Sequence, residues 1–229
     1  MEERLPCEQF NKTVIFLFVN AMSTQKIALF GTSGEAMQRV ATEALRRGHT
    51  VTAIITDEKE FPLKHPNLKV VKGDMRKKED VRKYAQGHDV VISTHTPRQT
   101  NPQEHVTITR TLIEGLKGTG IHSLLSVAQP QGQPAERTEK EFKEFKSVLN
   151  AQEEALQLFE NQSELKWGYL YAAEPKEKAG KYPTPNELLF ASPEGEWKVP
   201  VKDYASAVIE EVENAEMELH EGEEEGREY

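Results

Sequence analysis

Cysteine is nearly absent from this chain. Cys7 stands alone, so no internal disulfide can form and no cysteine-based zinc cluster can be assembled. That usage fits a reducing compartment, and a cytoplasmic protein is expected. Seven histidines are scattered without ligand spacing, so no metal site is expected either. No tyrosine has a lysine four residues later, which removes the Tyr-x-x-x-Lys pair that activates a hydroxyl in many reductases. Near predicted strand ends, His49, His88, His95 and His122 each read as solvent-facing or structural, and no catalytic acid or base is assigned.

A surplus of positive charge is missing too. The net charge is −9, and residues 210–229, with ten acidic side chains and one basic, account for all of it. The remainder is balanced and lacks the basic excess that a nucleic-acid partner demands. The acidic end, assigned to residues 216–229, reads as a solvated disordered tail. Long apolar runs are also lacking. The most apolar one, Val14-Ile-Phe-Leu-Phe-Val19, is too short to span a bilayer, Glu2 and Glu3 spoil a basic leader, and no Ala-x-Ala pattern follows. No membrane association is expected. Residues 1–23 are taken as an N-terminal extension with Met22 as the natural start, the alternative being an edge strand or docking segment.

At 229 residues and 37% hydrophobic content the chain can bury one core and is short for two, so a single domain is placed at residues 24–215. Its leading feature is Lys26-Ile-Ala-Leu-Phe-Gly-Thr-Ser-Gly-Glu-Ala-Met37. An apolar strand stops at Gly31, and a small, hydroxyl-rich turn of Thr32, Ser33 and Gly34 opens a helical pattern over 34–47. Unpaired N–H groups at such a helix start, with the positive end of the dipole behind them, suit a phosphate.

Strand and helix patterns then alternate. Strands are expected at Val51–Ile55, Leu68–Val71, Val90–Ser93, His122–Val127 and Leu165–Tyr171; helices at Lys78–Gln86, Glu104–Lys117 and Thr138–Glu160. Each strand is a continuous apolar run, the mark of a parallel sheet covered on both faces. Beyond Tyr171 the pattern loosens across Glu174–Pro193, which holds four prolines, before a short strand near Trp197–Val201 and a last helix from Asp203, a plausible N-cap.

Gly31-Thr-Ser-Gly34-Glu-Ala-Met37 has the form G-x-x-G-x-x-M, with Met37 where the fuller dinucleotide fingerprint has a third small residue; an ordinary strand-to-helix turn is the alternative. Asp57 follows the second strand and can accept from ribose hydroxyls, and no arginine at Thr56 or Asp57 awaits a 2′-phosphate, which favours NADH; otherwise Asp57-Glu58-Lys59 is a solvated turn. Asp74 can bond an adenine amino group with Met75 against the ring, or cap the next turn. Ser93 and Thr94 can line the cofactor or satisfy the loop backbone.

Taken together, Lys26–Gly34, Arg46–Ile54, His65–Asp74, Gly87–Ser93, Gly180-Lys-Tyr182 and Val201-Lys-Asp-Tyr-Ala205 resemble the NAD(P)H-binding atypical short-chain dehydrogenase/reductase group. Within it the chain is most similar to proteins called NADH-flavin reductases, which are related to NmrA-like sensors. The resemblance implies a three-layer Rossmann fold with a doubly wound, mostly parallel sheet and a small C-terminal lid from residues 128–138 and 174–200. It also implies NAD(P)H bound by Gly31, Thr32, Ser33, Gly34, Asp74, Met75, Ser93 and Thr94. The expected activity is hydride transfer to FMN, FAD, a quinone or a similar planar acceptor by a monomer or homodimer. The alternative is a dinucleotide-binding sensor without turnover. Trp167, Tyr169, Tyr171 and Phe190 are read as core or as stacking surface.

Overall fold

The computed structural model describes residues 24–31, 34–57, 61–95, 97–98, 100–128, 139–172, 187–193, 195–200 and 203–225. The elements run β1 (Lys26–Gly31), α1 (Glu35–Arg46), β2 (Thr50–Ile55), β3 (Leu68–Lys72), α2 (Lys78–Ala85), β4 (Val90–Thr94), α3 (Gln103–Leu116) and β5 (Ser123–Ala128). They continue with α4 (Glu139–Glu160), β6 (Lys166–Ala172), β7 (Glu187–Ser192), β8 (Gly195–Pro200) and α5 (Tyr204–Glu225). One sheet holds all eight strands in the order β3-β2-β1-β4-β5-β6-β7-β8. Strands β1 to β6 pair in parallel, and β7 and β8 add to the β6 edge antiparallel. This is the doubly wound Rossmann architecture that the apolar runs imply.

Successive side chains of a strand point to opposite faces, and β1 shows what covers each. Ile27 and Leu29 lie in one buried cluster with Met37, Val40, Ala41 and Ala44 of α1 and Val208, Ile209 and Val212 of α5. Ala28 and Phe30 belong to a second cluster with Val81 of α2, Ile108 and Leu112 of α3, and Ala155 and Phe159 of α4. Two helical layers thus enclose the sheet, and continuous apolar strands are the consequence.

Helix α1 ends in a Schellman cap. Gly48 takes φ +93°, its N–H bonds the Leu45 carbonyl at 3.1 Å, and the His49 N–H bonds the Ala44 carbonyl at 3.1 Å. Arg47, at the cap, reaches across to α5: its guanidinium contacts Glu43 at 2.7 Å, Glu213 at 2.7 Å, Glu210 at 3.1 Å and the Ser206 hydroxyl at 2.7 Å. Part of the acidic surplus therefore fastens one helix to another. Asp203 takes the N-cap position of α5, its carbonyl accepting from the Ala207 N–H at 3.1 Å.

Two expectations change. Residues 187–200, expected within a lid, instead supply two strands to the sheet, because Leu189, Phe190 and Ala191 have β6 to pair with. The remaining lid segments, 129–138 and 173–186, lie outside the described residues, as do the expected N-terminal extension 1–23 and its apolar run. The acidic end, expected to be disordered, is helical as far as Glu225. Glutamate, alanine, methionine and leucine are strong helix formers, and they extend a helix already packed through Val208, Ile209 and Val212.

Candidate functional site

The strand order reverses between β1 and β4, so their carboxyl ends border the crevice where open α/β sheets bind ligands. Gly31 and Thr94 face each other across it in register. A Cβ on Gly31 would overlap the Thr94 hydroxyl and lie 3.0 Å from the Thr94 carbonyl oxygen and 3.2 Å from Met37 Sδ. Glycine is needed at Gly31 for room, and this brings the turn's backbone close to β4.

Thr32 and Ser33 lie outside the described residues. Gly34 is extended, with φ −68° and ψ 174°, and forms the N-cap of α1 without a side chain to close it. The first intrahelical bond runs from the Gln38 N–H to the Gly34 carbonyl at 3.2 Å, so the N–H groups of Glu35, Ala36 and Met37 precede the ladder. Met37 itself is 1% exposed and packed in the core, so its side chain fills space beneath the turn.

On the adenine side, Asp57 is exposed just past β2. Asp74 is held by Arg76, whose Nε and Nη2 donate to Oδ1 and Oδ2 at 2.8 and 3.0 Å, while the Arg76 N–H also donates to Oδ1 at 3.0 Å. These bonds hold the Asp74 carboxyl below the usual carboxylate range. The edge expected to present a carboxylate to adenine thus presents a carboxylate–guanidinium pair, because Arg76 follows closely enough to close a fork on it. Met75 is buried beside Phe30 and Ile54 in the second core cluster.

On the other side, Ser93 and Thr94 are buried at the end of β4. Ser93 Oγ has no hydrogen-bond partner among the described residues, nor does Oε1 of buried Gln152, whose Nε2 donates to the Ala128 carbonyl at the end of β5. Buried orphan polar atoms at this edge suit a polar ligand. Beyond Thr94 comes a connection that composition and spacing did not reveal. His95 Nδ1 lies 3.1 Å from His105 Nδ1 at the start of α3, and His105 Nε2 lies 2.8 Å from the hydroxyl of Tyr169 on β6. Burial drives the imidazoles down, to about 4 for His95 and about 3 for His105, and raises the Tyr169 hydroxyl. The other strand-end histidines do match their expectation. His49 accepts from the Gln25 N–H and contacts Glu213, His88 contacts the Thr52 hydroxyl, and His122 is exposed. Trp167, Tyr169 and Phe190 are core, and Tyr171 is half-buried.

A groove of about 610 Å³ between His122, Glu164, Lys166 and Pro193 opens at the opposite, amino edge of the sheet. No helix among the described residues is long and apolar enough to cross a membrane.

The sequence profile of the NAD(P)H-binding family matches residues 31–215, from the first glycine of the turn into α5. The chain belongs to that family. Binding of a nicotinamide dinucleotide is the family's defining property, and the atypical short-chain dehydrogenase/reductase resemblance holds. YwnB of Bacillus subtilis, an uncharacterized protein, is 27% identical over 206 residues, covering 83% of this chain and 93% of its own. A Bacteroides thetaiotaomicron protein described as a "putative epimerase" superposes with a TM-score of 0.60 at 25% identity, over 83% of this chain and 92% of that one. A Streptococcus pneumoniae protein described as a "putative NADH-flavin reductase" shares the fold, with a TM-score of 0.55 at 21% identity over 83% and 93% of the two chains.

Proposed function

We propose that the protein is an NAD(P)H-dependent oxidoreductase, with NADH favoured, that passes a hydride to a flavin, a quinone or a similar planar acceptor. One observation carries the site: Gly31 lies against Thr94 at the strand-order reversal, next to a helix start capped by Gly34. The uncapped N–H groups of Glu35 and Ala36, with the helix dipole behind them, would hold the pyrophosphate. Thr56 and Asp57 leave the ribose end without a cation directly after β2, which supports NADH over NADPH.

The bound dinucleotide would supply the hydride. The chain's part is to orient two flat rings and to keep water from them, which requires no acid–base pair. That agrees with the missing Tyr-x-x-x-Lys pair, and the name "putative NADH-flavin reductase" given to the Streptococcus pneumoniae protein of the same fold is in line with this reading. Steady-state oxidation of NADH by the purified full chain, with FMN, FAD and a quinone offered in turn, tests the reading. Turnover with at least one of them is expected. Saturable NADH binding with no turnover by any acceptor would overturn it in favour of a dinucleotide sensor.

A further inference from the structure

His95 is the first residue beyond β4, next to the Thr94 that faces Gly31, so it stands at the crevice on the side away from β2 and β3. His95 is 4% exposed, and its ring is nearly coplanar with that of His105, the planes 9° apart and the centroids 5.4 Å apart, so that the two rings meet edge to edge. Behind it, His105 and Tyr169 are fully enclosed, and the Tyr169 ring packs against Phe159 and Tyr171.

The hydrogen bonds fix where the protons sit. Among the described residues, the Tyr169 hydroxyl has one partner, His105 Nε2. A buried O–H that donates to nothing is costly, so Tyr169 donates and His105 Nε2 accepts. His105 then carries its proton on Nδ1 and donates it to His95 Nδ1 across 3.1 Å. His95 must in turn be protonated on Nε2, an atom with no partner among the described residues. The opposite direction would leave the Tyr169 O–H without an acceptor. Burial keeps both rings uncharged near neutral pH.

We infer that His95 Nε2–H is a fixed, uncharged hydrogen-bond donor to an oxygen of the bound ligand, foremost a carbonyl oxygen of the hydride acceptor, with His105 and Tyr169 as positioning residues that set its tautomer. This rests on the proposed dinucleotide site. A neutral imidazole donor polarises a carbonyl without demanding a countercharge, and isoalloxazines and quinones both carry such an oxygen. No proton needs to leave the triad: the hydride would enter the acceptor at a ring carbon or at the flavin N5, negative charge would build on the conjugated carbonyl oxygen, where a donor held in place strengthens, and solvent would supply the proton that completes the reduction.

Long-range proton–nitrogen spectra of the histidine rings in the full chain test the tautomers without any cofactor. His95 is expected as the Nε2–H form and His105 as the Nδ1–H form, with Tyr169→Phe releasing that preference. His95 in the Nδ1–H form would overturn the inference. The functional arm compares wild type, His95→Leu and His95→Gln for NADH dissociation constant and for kcat and KM with FMN and a quinone. Loss of the donor in His95→Leu should lower kcat/KM for the acceptor about tenfold, leave NADH affinity within about twofold, and be partly restored in His95→Gln, which keeps an N–H. If NADH affinity falls by that factor instead, the oxygen belongs to the dinucleotide and the donor role stands. Wild-type-like values in every column, in a chain that binds NADH, would overturn the donor role alone. A wild type that binds neither NADH nor NADPH would overturn the dinucleotide reading beneath it.

Discussion

Gly31 and Thr94 are packed so closely that any side chain on Gly31 would collide with the Thr94 hydroxyl and stand 3.0 Å from its carbonyl oxygen. Neither atom is the end of a long, flexible chain, so the strain cannot be relieved cheaply. Gly31→Ala should therefore destabilise the fold by about 1–3 kcal/mol, read as a lower urea midpoint with an unchanged m-value. An alanine variant as stable as wild type would mean that the two strand ends are not held in this register.

Met37 tests which job its position does. The side chain is buried beneath the turn with Val40 and Ala41, so Met37→Ala should cost about 2–5 kcal/mol through the cavity it leaves. In the folded fraction, NADH affinity should stay within about twofold of wild type, measured by fluorescence titration. A large gain in affinity without loss of stability would show that the methionine had been obstructing the phosphate instead.

The helical spacing of Met37 with Val40 and Ala41 already places it on the apolar face of α1, so its burial was legible in the sequence once the position was read as packing as well as motif. Strands β1 to β6 were legible for a similar local reason, each being a mainly apolar run closed by a turn, although edge strand β3 is interrupted by Lys69 and buries none of its residues. Strand β7 was not: Leu188-Leu-Phe-Ala191 is a short apolar stretch amid prolines, and what makes it a strand is the β6 edge that it pairs with, 16 to 22 residues away in the register from Leu188 with Ala172 up to Ala191 with Tyr169. The His95–His105–Tyr169 chain had the weakest signal of all. Its members sit just past the end of β4, on α3 and on β6, 10 and 64 residues apart, and nothing local announces their meeting. The only hint was a histidine directly after an apolar strand and another at the start of the next helix. Arg76 had a local signal, two residues after Asp74, because such a spacing can close a side-chain fork.

The buried imidazoles also set a pH dependence. Their folded values, about 4 and about 3, lie below the ordinary 6.5, so the unfolded chain binds more protons between those limits. Glu104 raises the His95 value while Arg98 and Arg76 lower it, but burial dominates. The stability contributed by keeping these rings neutral is thus present above about pH 6.5 and lost as pH falls toward about pH 4. Urea midpoints across that window should fall for wild type and fall less for His105→Gln. Parallel curves for the two would remove the histidine pair as the cause.

Cofactor preference turns on the charge beyond β2. Asp57→Arg places a guanidinium where a 2′-phosphate would lie, and should raise NADPH affinity relative to NADH by about tenfold. Equal titrations of the two reduced cofactors against wild type and variant decide it, and an unchanged ratio would take Asp57 out of the ribose role.

The central claim is that the turn from Gly31 to Gly34 holds a dinucleotide at the strand-order reversal. Titration of the full chain with NADH, for wild type and Gly34→Asp in parallel, tests it most directly. Saturable binding by wild type and its loss in a still-folded Gly34→Asp chain, where a carboxylate would occupy the phosphate position, is the predicted result. Equal affinity in the two proteins would place the cofactor elsewhere and contradict the claim.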